Sequence, residues 1–465
     1  MKKSNLLFAM SACAMLVTSC ASEQEMPDAP VNNGEGKQII TLSVNNQDGT
    51  RAGRPLLSSE AAQNIENVKV IITNVENTVV WTYNFTEWNT TGKEYTNGLY
   101  DDLEIKKEDY NFVEEAEALK NKLLENGNDA LAAKAANYTV YAIGWSEETD
   151  YDLDAVKDLN VNAQFTEDLV ISYKEGKQSN GNWAEEIFAG SQTFTAANTI
   201  KANVVLNRQV AGTYGYLREI PYLTSGEGEN LKVGRYLHLI ASDYNSDLVL
   251  GHFANDDHAN NAGSKFVING LKNKESNTGK IVYTIDLQKW FTQLVPLTKE
   301  DNTVILDYAK WVNPTDATPE PIHYRKGSVF GASFLHPFAK TADSTFTLVL
   351  TTDEEAQNVL QSWTVILTDN SQINAHSVWS FDGAWKETPN VEDNYKNYSI
   401  LRNNLYSIGA RPKAEPKDPK DPTDPDPEPD PDPNDPDDPT PLNNKQQLVI
   451  KVNSNWEAMH EMGLM

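Results

Sequence analysis

The chain has 465 residues, 39% of them hydrophobic, and its 67 Asp and Glu outweigh 39 Lys and Arg to give a formal net charge of -28. This is enough apolar material for two or three domain cores, and the acidic surface repels phosphate backbones, which argues against a nucleic-acid partner. Both cysteines, Cys13 and Cys20, fall in the first twenty residues, so the body has no disulfide, no cysteine metal site and no cysteine nucleophile.

The chain opens with Lys2 and Lys3, followed by the apolar run "LLFAMSACAMLV". The run is too short to span a bilayer and reads as a signal peptide over 1–19. It ends in "LVTSC", which resembles the lipobox of bacterial lipoproteins. That resemblance makes Cys20 the lipidated first residue and implies a membrane anchor through the lipid. Residues 21–37 are polar, with Pro and Gly, and read as disordered. "QIITLSV" follows, and its alternation puts Ile40, Leu42 and Val44 on one strand face. The polar turn "NNQDGTRAGRP" comes next. Its Arg51–Ala52 bond is open to proteases, whereas Pro55 protects the bond after Arg54.

"VKVIIT" and "TVVWTYNF" read as strands joined by a turn near Asn74 to Asn77. Helical spacing of Phe112, Ala116, Leu119 and Leu123 predicts a helix over about 108–136, broken at Gly127. "NYTVYAIGW" and "LVISY" are strands again, and "ANVVLNRQVAGTYGYL" (202–217) closes the first domain or opens the second. The second half continues with "GRYLHLIAS", "KIVYTID", "STFTLVLTT", "SWTVILT" and "NYSILRNNLYSIGA". There is no βαβ rhythm, so the chain is mainly β and sandwiches are favoured over parallel sheets.

From Lys413 to Asn444, Pro and acidic residues nearly alternate. Pro lacks the ladder donor and the charges repel, so this run is expected to stay an extended tether that does not pack. It delivers a last strand, "QQLVIKVNSNW", in which Leu448, Ile450 and Val452 repeat the spacing of Ile40, Leu42 and Val44, with Trp456 beyond. Either strand can lay the same face on one groove. The first sits beside a cleavable turn and the second on a tether. A cut after Arg51 would vacate a groove that the tethered strand of another copy can fill.

No catalytic constellation stands out, and the chain reads as a non-enzyme. His252, Asp256, Asp257 and His258 crowd one segment, but with no second motif to support a metal they read as a polar loop. The Asp-rich tether has no Gly for the sharp turn of a calcium loop. No cofactor is expected.

The lipobox at Cys20, the strand before Arg51–Ala52–Gly53, "VVLNRQVAG" (204–212), the R-N-x-x-Y set Arg402, Asn403 and Tyr406, the Pro/Asp tether, and a terminal strand with Val452 and Trp456 occur in this order. In these features the chain resembles the fimbrillins, the type V pilins of Bacteroidales, and among them the stalk subunits of short (minor) fimbriae. The resemblance implies two transthyretin-like β-sandwich domains, with the helix as an insertion in the first. It also implies export to the outer membrane as a lipoprotein, cleavage by an arginine-specific surface protease, and polymerisation by strand exchange into a cell-surface fimbria that supports adhesion. Partners would be other copies of the chain and accessory tip and anchor subunits. The expected organisation is a signal peptide (1–19), a lipidated propeptide with the placeholder strand (20–51), two sandwiches (52–210 and 211–412), the tether (413–444) and the donor strand (445–465). A tip or accessory subunit, or a surface glycan-binding lipoprotein, is the alternative.

Overall fold

In the computed structural model the described residues are 36–45, 65–86, 88, 93–95, 98–147, 149–174, 185–241, 245–253, 267–271, 280–313, 324–338, 346–367, 378–388, 399–409, 439–442 and 448–453. They belong to a single unit, Gly34–Met465; a separate unit, Met1–Asn33, lies outside them. The strands used below are β1 (Gln38–Asn45), β2 (Asn67–Thr73), β3 (Val79–Phe85), β4 (Lys93–Tyr95), β5 (Gly98–Glu104), β6 (Asn137–Trp145), β7 (Ile187–Thr195) and β8 (Ile200–Arg208). They continue with β9 (Ala211–Arg218), β10 (Tyr236–Ala241), β11 (Lys280–Asp286), β12 (Val329–Leu335), β13 (Phe346–Thr351), β14 (Val359–Leu367), β15 (Leu405–Ile408) and β16 (Leu448–Asn453). Helix α1 is Phe112–Glu125.

The chain is mainly β, as the alternating patterns predict. Its first large sheet has the order β3-β2-β6-β7-β8-β1-β5-β4. β8 pairs with β7 at Asn207 and Arg208, while its earlier residues pair with β1. The sheet therefore folds at β8 into two halves. Their facing residues share one core: Ile40, Leu42, Leu103, Val204 and Leu206 from one half, Val68, Val70, Val140, Ala142 and Phe188 from the other. Helix α1 adds Phe112 and Ala116 to that core. It starts later than the spacing predicts because Asn111 is its cap, the side-chain oxygen accepting from the Val113 amide. It ends before Gly127, whose φ of +73° is the left-handed conformation that glycine adopts without strain.

The second large sheet runs β11-β10-β13-β14-β16-β15-β9-β12, with Thr440–Pro441 paired beside β9. It too folds over a core, drawn from Leu237, Leu239, Leu348, Trp363 and Val365 on one side and Leu217, Val329, Tyr406 and Ile408 on the other. β16 joins the two halves. At the opposite edge β12 and β9 close over β11, and here glycine is required. A Cβ on Gly331 would lie 2.4 Å from Ile285 Cγ1, and one on Gly215 would lie 2.3 Å from the Tyr283 hydroxyl.

The run 202–217 is thus two strands in two sheets, with the chain crossing between them at Gln209 and Val210. The outer faces of the sheets meet across a third core that includes Ile71, Tyr141, Ile143 and Ile187 from the first and Tyr214, Tyr216, Phe334 and Leu405 from the second. The end of the Pro/Asp tether departs from expectation. Pro439 to Leu442 pack: the Arg218 side chain donates to the Pro439 carbonyl at 3.0 Å, the Leu442 amide donates to Arg218 at 2.9 Å, and Leu442 is buried. Pro has no donor to contribute, yet its carbonyl still accepts, which suffices on a sheet edge.

A buried polar chain ties the middle of the molecule together. His336 Nδ1 donates to the Asn245 carbonyl at 3.0 Å, so Nε2 is free to accept from the Tyr151 hydroxyl at 2.7 Å. Tyr173 stacks on both rings. Burial holds His336 down to about 4, against about 6.5 for an unfolded histidine. Between these values the unfolded chain takes up a proton that the native imidazole excludes, so stability is fully present above about 6.5 and falls as pH drops. The expected slope is up to about 1.4 kcal/mol per pH unit from this residue. Thermal melts of wild type and His336→Gln between pH 7 and 4.5 check this: the variant should start less stable and lose stability less steeply with acid.

Candidate functional site

The two strands singled out by pattern both occupy interior positions in a sheet. β1 lies between β8, to which it runs parallel, and β5, to which it runs antiparallel. It makes seven residue pairs on each side, Gln38–Val44 with Ile200–Leu206 and Ile39–Asn45 with Gly98–Glu104. Ile40 and Leu42 are fully buried in the first core. Val44 stands opposite Leu206 and Leu99 in the same register.

Polar side chains fix the register of β1. Lys37 Nζ meets Glu104 Oε2 at 2.8 Å. Gln38, 1% exposed, donates from Nε2 to the carbonyls of Ile105 (3.0 Å) and Tyr110 (2.8 Å) and accepts at Oε1 from the Phe112 amide (3.3 Å). Gln38 therefore satisfies one of the open amides at the start of α1. Thr41 donates to Asp102 at 2.6 Å, and Ser43 to Asn203 at 3.3 Å. A spacing argument based on aliphatics finds Ile40 and Leu42 and passes over Lys37 and Gln38.

β16 sits between β14 and β15, again parallel to one neighbour and antiparallel to the other. Among the described residues Leu448–Ile450 pair with Val365–Leu367, and Lys451–Asn453 pair with Leu405–Ser407. Leu448 is buried in the second core. Ile450 stands opposite Leu367, and Val452 opposite Tyr406. Cys20, Arg51, Ala52 and Trp456 lie outside the described residues.

The motifs at 204–212 and 402–406 come together where the chain crosses between sheets. The Arg402 guanidinium, almost wholly buried, donates to Gln209 Oε1 (2.9 Å) and to the carbonyls of Gly251 (2.9 Å) and His252 (2.6 Å). Burial pushes it down to about 9, with Glu167 opposing, so it remains charged at neutral pH. The Asn403 amide donates to Val210 and the Gly212 amide to Asn404, both at 2.9 Å. The Tyr406 hydroxyl accepts from the Leu401 amide (2.8 Å) and donates to Ser399 (3.1 Å). Next to this knot, Arg208 Nε meets Glu186 Oε1 at 2.6 Å, both buried, with the guanidinium over the Phe188 ring.

Of the supposed metal cluster, only His252 is described; Asp256, Asp257 and His258 are not. His252 stacks on Trp379 at 4.1 Å, and burial together with Arg402 lowers it to about 4. No group of metal ligands occurs among the described residues. What the geometry offers is a place for a strand.

No family model matches the chain, and no curated protein does. Several solved structures are similar. A fimbrilin from Porphyromonas gingivalis W83 is 11% identical, with 89% of this chain and 96% of that one covered and a TM-score of 0.37. The fimbrial anchor protein Mfa2 from Porphyromonas gingivalis is 11% identical, covering 82% and 93%, with a TM-score of 0.30. A fimbrial assembly protein from Parabacteroides distasonis ATCC 8503 is 9% identical, covering 80% and 89%, with a TM-score of 0.34.

The knot at Arg402 has a direct test. Arg402→Met removes the charge and leaves Gln209 Oε1 and two carbonyls without their shared donor. The expected loss is about 3–5 kcal/mol in denaturant unfolding. A loss under about 1 kcal/mol would show that the crossing is held by its apolar neighbours alone.

Proposed function

We propose that this chain is a structural stalk subunit of a cell-surface fimbria. It is exported as a lipoprotein modified at Cys20, cut between Arg51 and Ala52 by an arginine-specific surface protease, and polymerised by strand exchange. The strand vacated is β1, and the strand that enters is the terminal strand of another copy, through Leu448, Ile450 and Val452, with Trp456 as a further anchor. Accessory tip and anchor subunits complete the fibre, which serves adhesion.

The observation that carries this reading is the likeness of the two slots. Each holds its strand between one parallel and one antiparallel neighbour, so the same chain direction suits both. In the β1 slot the strand makes seven residue pairs on each side, and each ladder hydrogen bond contributes about 0.5–1.5 kcal/mol net. Three aliphatics contribute about 1.5–3 kcal/mol each in either place. Addition of a strand to an open sheet is a general mode of recognition, and association entropy opposes it.

Topology supports the cut. β1 precedes every other described strand, so a break between Asn45 and Ile65 leaves it held only by pairing and packing. Reach supports the transfer: residues 413–444, if extended, span roughly 100 Å at about 3.1 Å per residue. Leu442 must leave its pocket for the full length to be used.

A second reading has its own observation. β16 completes the second sheet of its own chain, where Leu448 enters the core, so the strand can serve as a permanent part of that domain. A covalent lock separates the two. Ser407 and Lys451 stand opposite each other, and the chain after Cys20 has no cysteine. With Ser407→Cys and Lys451→Cys oxidised, exchange requires that the protein remain a cleaved monomer beginning at Ala52, with an unboiled ladder returning on reduction. Polymerisation of the locked protein would overturn exchange and favour the second reading. In the unlocked chain, Arg51→Ala should leave lipidated monomers and Cys20→Ala should abolish both lipid labelling and fibres.

A further inference from the structure

The residues that fix β1 in its slot recur at the other end of the chain. β1 with its preceding lysine reads Lys37-Gln-Ile-Ile-Thr-Leu-Ser-Val-Asn45, and the tail reads Lys445-Gln-Gln-Leu-Val-Ile-Lys-Val-Asn453. With Ile40 set against Leu448, Lys, Gln, Val and Asn coincide at 37/445, 38/446, 44/452 and 45/453, and aliphatics coincide at 40/448 and 42/450. Alternating aliphatics alone explain neither the lysine nor the glutamine. In β1 both have partners outside the strand: Glu104 for Lys37, and the connection from Ile105 to Phe112 for Gln38.

We propose that the segment from β5 to the start of α1 is a register reader for the incoming strand. In the assembled fibre Gln446 of one copy takes the place of Gln38, bridging the carbonyls of Ile105 and Tyr110 and the amide of Phe112 in the next, and Lys445 takes the place of Lys37 on Glu104. This rests on the strand-exchange reading and specifies its register. A strand fits a groove equally well by its aliphatics at steps of two, so the pattern alone does not choose among registers. The head does. Shifted one way, Leu448 lies on the Gln38 position and leaves three backbone groups without partners. Shifted the other way, Gln446 lies on the Ile40 position, and an amide enters the apolar core.

Besides the aliphatic exchanges three positions differ: Gln447 replaces Ile39, and the other two differences fall on one neighbour. Val449 replaces Thr41, so Asp102 loses its hydroxyl donor. Lys451 replaces Ser43, which pairs with Tyr100, two residues from Asp102 along β5. From that diagonal position a lysine reaches the carboxylate. The tail thus exchanges a hydroxyl donor to the carboxylate for an ammonium, which distinguishes the arriving strand from the departing one. The same connection also links the slot to α1: when β1 leaves, the Phe112 amide loses its acceptor until Gln446 arrives.

The test is a cysteine scan in the full chain. Asp102→Cys is combined in turn with Gln447→Cys, Val449→Cys or Lys451→Cys, and fibres are oxidised, boiled without reductant and sized. The expected result is intermolecular cross-linking of Val449→Cys/Asp102→Cys at least tenfold above the two shifted pairs. Gln446→Leu should slow fibre growth at least fivefold, while Gln447→Leu next to it leaves the rate within twofold. If fibres form but a shifted pair cross-links best, or if Gln446→Leu grows at the wild-type rate, the register proposal fails and exchange itself stands. If none of the pairs cross-links copies and no ladder forms from the unsubstituted chain, exchange fails and the register proposal with it.

Discussion

Every backbone amide and carbonyl removed from water must find a partner, and in this molecule that requirement centres on one strand. β1 is bonded on both flanks, to β8 and to β5, and its Ile40 and Leu42 fill the core between the two halves of the first sheet. Its loss opens two edges at once and uncovers the core behind them. Exposed sheet edges invite pairing with another chain. An interior strand is ordinarily trapped by the chain on either side of it. β1 is the first described element, so no described strand precedes it. Among the described strands, the one that is structurally central is therefore first in order.

The crossing between the sheets gives this slot a firm frame. The first sheet folds on β8, and the chain leaves β8 directly for β9 of the second sheet. Arg402 reaches Gln209 in that crossing from the far end of the sequence, and Arg208 and Glu186 pair beside it. A buried guanidinium is costly unless its donors are used, and here three acceptors take them. The apolar layer between Ile143 and Tyr214 adds area on which the sheets rest. β8 is one wall of the β1 slot, so whatever fixes β8 fixes that wall. The two motifs, far apart in sequence, act physically as one clasp.

Much of this was legible in the residues, and the misses have physical causes. Alternation of aliphatics placed β1, and runs of β-branched and aromatic residues placed β2, β3 and β6, of which β2 and β6 are buried on both faces. The run 202–217 looked continuous because both of its strands are apolar on the inside; the break at Gln209 and Val210 depends on partners two hundred residues away. The tether was expected to remain unpaired up to Asn444, since composition reports lost donors and not surviving acceptors. Gln38 was missed for the same reason that it matters. It is a polar residue in a buried position, and only the geometry of the β5–α1 connection explains it. The seat of β16 in its own sheet was a matter of nonlocal pairing, which pattern cannot assign. Cys20, Arg51 and Trp456 rest on the sequence alone.

The terminal strand has a home in its own sheet. Leu448 covers the second core, and β14 and β15 flank the strand. This keeps an aliphatic segment out of solvent, where an unpaired strand of this composition would be an aggregation hazard. Pairing sets two limits on such a strand. One bonded too firmly does not move, and an undocked one pairs with whatever edge it meets. Under the strand-exchange proposal the terminal strand stays parked while β1 fills its slot, and the release of β1 sets the direction of assembly.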